Sequence, residues 1–190
     1  GFNDDAKPER TDVEEYTRSM RNFKNRGSDG EHLDAMHQFF YSKLNGTVLE
    51  LGAVDGIRNS ESRSFVPLGW RRILIEADPK HRDSLANYKS KTFSVNAAIC
   101  NDSKSLHYIR KHLIGGIIEY FSEGQLKREF PQLLQYRSDR TGAWDWKRVQ
   151  RDKEKLPDIV RIACLPLATV LKRAAVRHID FFVLDTEGAE

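Results

Sequence analysis

The chain has 190 residues, of which 39% are hydrophobic and 31% charged, and a net charge of +3. That length suits one domain with a modest core, and no apolar run approaches the ~18 residues of a membrane-spanning helix. The charge is local: residues 110–155 hold eleven Lys/Arg against seven Asp/Glu, leaving the rest near neutral. An anionic partner would meet that segment, but solvated helical faces of mixed charge are the expected reading.

Residues 1–27 read as a polar N-terminal extension with one helix candidate behind the capping box Thr11/Glu14. The folded unit is expected to start at residue 28. Ser28/Glu31 is a second capping box, and Leu33, Met36, Phe39, Phe40 and Leu44 follow at helical spacing until Asn45-Gly46 stops the helix. Val48–Ala53 is then a short apolar strand, followed by a glycine loop and a helix over about Ser60–Leu68. Arg72–Ala77 reads as a buried strand, and Asp78-Pro79 as a capped helix start. Thr92–Ile99 is a third strand. Strand, helix, strand, helix, strand at this spacing predicts an α/β fold with a parallel sheet and helices on both faces. Ser105–Ile109 predicts one more short strand. Residues 110–158 read as a basic insert, too short and polar for a core of its own, with a helix around Glu119–Glu129. Strand character resumes at Ile159–Cys164, a helix at Leu167–Val176 and a continuous apolar strand at Ile179–Leu184.

Cys100 and Cys164 each end an apolar run and stand outside any CxxC pair, so no zinc is expected. Two buried free thiols are the expectation, and a disulfide in an oxidising compartment is the alternative. The six histidines show no metal-ligand spacing, so no metal is expected. Trp144 and Trp146 either pack the insert onto the domain or stack on an acceptor.

The chemistry concentrates at strand ends. Gly52 and Gly56 in VLELGAVDG let the chain turn sharply beside a ligand. The spacing G-x-x-x-G lacks the middle glycine of a dinucleotide loop and the Lys-Ser/Thr of a P-loop, which argues against NAD, FAD and ATP. Glu50 would repel a phosphate and suits a ligand with an amino group and a sulfonium cation. Glu76 ends the next strand, at the distance where an acid can accept both hydroxyls of a ribose. Asn96 and Ala97 leave room for a flat ring beside the third strand. Asp185, Glu187 and Glu190 follow the last apolar strand, where a carboxylate can take the proton of an attacking hydroxyl or orient it.

Together NGTVLELGAVDG, LGWRRILIEADP, FSVNAAIC, CLPLATVL and IDFFVLDTEGAE resemble the FkbM family of S-adenosylmethionine-dependent methyltransferases, over roughly residues 30–190. The GGIIEY turn and the pairing of GAVDG with GWRRILIEADP resemble its eukaryotic Star-like branch, although Ser60-Glu61-Ser62 stands where that branch usually has Ser-Asn-Thr. The resemblance implies a Rossmann-like class I methyltransferase sheet, bound S-adenosylmethionine and O-methylation of a small-molecule or glycan acceptor. It places Glu50, Gly52, Ala53, Asp55, Gly56, Glu76, Asn96 and Ala97 on the cofactor and Asp185 and Glu187 at the point of methyl transfer. A class I sheet has more strands than these segments supply, so the methyltransferase-like domain at 28–190 is expected to lack its C-terminal strands. A non-catalytic relative serving trafficking or protein interaction is the alternative. No nucleic-acid partner and no membrane segment are expected, the oligomeric state is open, and the compartment is either the cytoplasm or the Golgi/ER lumen.

Overall fold

The computed structural model describes residues 31–41, 43–58, 60–88, 91–110 and 115–186; the Thr11/Glu14 pattern, Ser28 and Glu187 lie outside them. The elements in chain order begin with α1 (Glu31–Phe39), β1 (Thr47–Leu51), a 3-10 run (Glu61–Leu68) and β2 (Arg71–Glu76). A 3-10 turn (Pro79–His81) then leads into α2 (Arg82–Ala86), followed by β3 (Thr92–Asn96), β4 (Ala98–Ile99), β5 (Lys104–Ile109) and β6 (Gly116–Ile117). The remainder comprises α3 (Glu123–Glu129), α4 (Trp146–Arg151), β7 (Ile159–Leu165), α5 (Leu167–Arg173) and β8 (Phe181–Leu184), with further 3-10 runs at Ile118–Tyr120, Pro131–Tyr136 and Lys153–Lys155. Among the described residues no helix is long and apolar enough to cross a membrane.

The first sheet runs β3-β2-β1-β8 and is parallel throughout, as the alternation of strands and helices predicts. Successive residues of a strand point to opposite faces, and the core divides accordingly. Leu49, Ile73 and Ile75 pack against Val170 and Ala174 on the α5 side. Val48 packs against Met36 of α1, Phe65 and Trp70 on the other. Helical segments therefore cover both faces. The β8 strand is registered at its start by Asp180, whose Oδ2 accepts the Thr47 N–H at 2.7 Å while Lys43 pairs with Oδ1 at 2.6 Å.

The expected single strand Thr92–Ile99 is two strands in two sheets. The side-chain amide of Asn96 donates to the carbonyls of Glu76 and Asp78, at 2.9 and 2.8 Å. It ties the end of β3 to the turn after β2, and the chain bends at the buried Ala97. Beyond the bend β4 joins a second sheet, β4-β7-β5-β6, in which β7 is parallel to β4 and antiparallel to β5.

That register corrects the expectation of free thiols. Ala98 lies opposite Cys164, which brings Cys100 within 5.9 Å of it, Cα to Cα, and the two form a disulfide across 64 residues of chain. The insert is also less polar in effect than its composition. Phe121, Leu126, Phe130, Leu133, Tyr136 and Val149 point inward from its short helices and form a buried cluster on Ile109 of β5. Trp146 is stacked between His107, at 3.6 Å, and Trp144, at 5.4 Å, so this tryptophan packs the insert onto the second sheet. The helix expected at Glu119–Glu129 starts later, at Glu123, because Ser122 caps it by accepting the Gln125 N–H.

Alkylation of the unfolded, unreduced protein is expected to label neither cysteine in mass spectrometry. Cys164→Ser then lowers unfolding stability by about 4 kcal/mol, the chain-entropy value for a loop of this size, as read by urea denaturation.

Candidate functional site

A cavity opens where β1, β2 and β8 end. Gly52, Val54, Glu76, Ala97 and Asp185 contribute to its near wall, and Tyr108 and Tyr120 approach from the second sheet. The glycine loop is shaped by its neighbours. The Gly52 and Ala53 N–H groups both donate to the Ile75 carbonyl, at 2.9 and 3.1 Å, and the Gly56 N–H closes the turn onto the Ala53 carbonyl at 2.7 Å. On the other side the Asp185 N–H donates to the Leu51 carbonyl at 3.0 Å. The Asp185 carbonyl oxygen fills the space a Cβ on Gly52 would take, and Gly52 has φ +90°. Glycine is required there on both counts.

Glu76 is the most constrained group in the wall. It is only 6% exposed. One carboxylate oxygen accepts the Val54 N–H at 2.8 Å and the other the Asp78 N–H at 2.7 Å. Burial pushes its pKa above the ordinary value, and the backbone N–H groups of Asp78, Val54 and Ala77 oppose that rise. The two oxygens offer about four acceptor positions, more than these backbone bonds use, which leaves the carboxylate able to accept from a ligand hydroxyl. Asp78 acts as the expected helix cap, accepting the Lys80 N–H at 2.9 Å, and also receives the Arg110 guanidinium at 2.9 Å.

The structure brings Gly52, Glu76, Ala97 and Asp185 together at this cavity. It places the other candidates behind the wall. Ala53 is buried with Leu74 and Leu85. Asp55 caps the loop by accepting the N–H groups of Ile57 and Arg58, at 2.9 and 2.8 Å. Gly56 rests on Leu74 and Tyr88, and the Asn96 amide is committed to the β2 turn. Glu187 lies outside the described residues.

Glu50 faces the 3-10 run, on the same side of the sheet as Arg72, and is 3% exposed. It accepts from the Ser60 hydroxyl at 2.7 Å, from the Glu61 N–H at 3.0 Å and from the Ser62 hydroxyl. The same two serine oxygens accept from Arg72: Nε donates to Ser62 at 3.0 Å and Nη2 to Ser60 at 3.1 Å. Burial raises the Glu50 pKa against these hydroxyls and the Arg72 charge, and burial lowers that of Arg72 against the Glu50 charge. Strand alternation alone signals the arrangement, since Val48 and Glu50 share a face and Arg72 is registered opposite Val48. Tyr108, Tyr120 and His81 at the cavity carry no comparable signal, because two of them arrive through the second sheet.

Residues 50–190 match the family model described as the methyltransferase FkbM domain. No curated protein and no solved structure matches the chain.

In Glu76→Gln an NH2 group faces one of the two backbone donors. The loss is expected to be about 1–3 kcal/mol, the cost of a buried donor left without an acceptor, measured by urea unfolding. The variant also changes the pH dependence. With a folded-state pKa raised above its ordinary 4.5, Glu76 contributes stability that is complete below that pH and fades as pH rises through the raised value. The decline above pH 4.5 is therefore shallower in Glu76→Gln than in the parent protein.

Proposed function

Because this chain belongs to the FkbM methyltransferase family, we propose that it binds S-adenosylmethionine in the cavity at the β1, β2 and β8 ends and methylates a hydroxyl of a small molecule or glycan. The observation that carries the reading is the convergence of Gly52, Glu76, Ala97 and Asp185 on one cavity. When bound, the cofactor supplies a methyl group on a sulfonium centre that is itself the leaving group. Glu76 accepts the ribose hydroxyls with its remaining lone pairs. Ala97, at the bend between β3 and β4, leaves the wall flat for the base. The Glu76 and Asp185 carboxylates favour a cationic ligand over a phosphate. Asp185, exposed at the end of β8, takes the proton of the acceptor hydroxyl or orients that hydroxyl.

The Cys100–Cys164 disulfide supports an oxidising compartment, the Golgi or ER lumen, over the cytoplasm. A glycan acceptor agrees with that location.

Calorimetric titration with S-adenosylhomocysteine tests the reading. Saturable binding with 1:1 stoichiometry is expected, and Gly52→Ala lowers the affinity more than roughly tenfold, because its Cβ displaces the Asp185 carbonyl and opens the wall by more than one hydrogen bond's worth. A folded protein that takes up neither this ligand nor S-adenosylmethionine overturns the proposal and leaves the fold to a role in protein interaction.

A further inference from the structure

Two carbonyl groups of the glycine loop point away from the cavity and are held from below. The Tyr88 hydroxyl donates to the Asp55 carbonyl at 2.8 Å, and Arg72 Nη2 donates to the Gly56 carbonyl at 2.7 Å. Arg72 and Tyr88 also contact one another, with the guanidinium carbon 5.3 Å from the ring centroid. Gly56 has φ +70°, and a Cβ there would meet Leu74 and the Tyr88 ring, so the loop lies directly on this pair. Two residues earlier the Val54 N–H holds Glu76. The loop is thus fastened at both ends of a three-residue span: to Tyr88 and Arg72 beneath it and to the carboxylate in the cavity wall beside it.

We infer that Arg72 and Tyr88 are positioning residues for the cofactor loop, with Glu50 acting on the loop through Ser60, Ser62 and Arg72. Arg72 spends three of its five donors on fixed partners, and Ser60 and Ser62 pass its charge on to Glu50. The guanidinium therefore cannot rotate away from the Gly56 carbonyl without stranding a buried carboxylate. Tyr88 supplies the second point, which prevents the loop from pivoting about the first. When both hold, the Val54 N–H stays on Glu76 and the carboxylate keeps its free lone pairs aimed into the cavity. This inference rests on the cavity being the S-adenosylmethionine site. It assigns Glu50 a place one layer behind the ligand.

The experiment compares the full chain with Tyr88→Phe, which keeps the ring and removes the hydroxyl's bonds to the Asp55 carbonyl and to Arg72, and with Arg72→Lys. Hydrogen exchange of the loop amides, 52–57, is followed without ligand, and S-adenosylhomocysteine affinity is measured well below the melting temperature. Faster exchange confined to the loop and an affinity reduced about fivefold, as for the loss of one hydrogen bond to the loop, are expected for Tyr88→Phe at little change in melting temperature. Arg72→Lys, which cannot reach both serines and the Gly56 carbonyl, is expected to weaken binding further. Unchanged loop exchange in Tyr88→Phe overturns the inference, as does a lowered melting temperature with parental affinity, which would mark a purely structural role. Parental protein that binds no S-adenosylhomocysteine defeats the cofactor reading instead, and the exchange data still decide whether the pair holds the loop.

Discussion

The arrangement at the carboxyl end of the first sheet depends on a buried charge relay: Arg72, two serine hydroxyls and Glu50. A buried guanidinium or carboxylate alone is costly, and removing one partner of a buried pair is costlier than never having built it. Here the two charges do not meet head on. Each serine oxygen accepts from Arg72 and donates to Glu50, so both ions are solvated by hydroxyls that polarise one another. The Ser60 hydroxyl is committed in this way, and the 3-10 run that follows has no side-chain cap at its start. What the relay secures is the orientation of Arg72, and with it the Gly56 carbonyl of the glycine loop.

The second sheet explains why the cavity has a far wall. The bend at Ala97 sends β4 out of the parallel sheet to pair with β7, which is antiparallel to β5. The short β6 pairs with the end of β5, Ile109 opposite Gly116. Tyr108 and the Gly115-Gly116 turn thereby return to the cavity that Glu76 and Ala97 begin. The disulfide joins β4 to β7 just beyond that bend, so the element that carries Ala98 and Ile99 along the cavity is fixed to its neighbour by a covalent bond as well as by the ladder. The insert adds its own apolar cluster against β5, which braces this wall from outside.

Much of this was legible in the sequence where the signal is local. RILIEA, the Asp78-Pro79 cap, the glycine loop and the last apolar strand lie at or within a few residues of their expected places, because strand hydrophobicity, capping and turn chemistry are short-range properties. Glu76 at the end of β2 was readable for the same reason. The bend at Ala97 was not, since VNAAIC is continuous strand composition and only the Asn96 amide, reaching back to residues 76 and 78, shows where the strand must break. The disulfide needed a register between segments 64 residues apart. The insert's core was hidden by charge on the outer faces of its short helices.

Glu50 shows how a correct observation about sequence can carry an incomplete assignment. An acid inside an apolar strand does demand a partner, and a cationic ligand at the strand end is one that satisfies the demand. Alternation along β1 points to a different one. Glu50 shares its face with Val48, which packs on Phe65 and Trp70, whereas the cavity lies beyond Leu51, past the end of the strand. The neighbouring strand supplies a cation on that same face, and the serines of the following turn fill the gap between them. Glu76 differs in one respect only: it is the last residue of its strand, where the chain turns and the backbone N–H groups of Val54 and Asp78 become available. The first acid is satisfied by two serine hydroxyls and one N–H of the turn that covers it, and remains inside the protein; the second is satisfied by backbone alone and faces whatever enters the cavity.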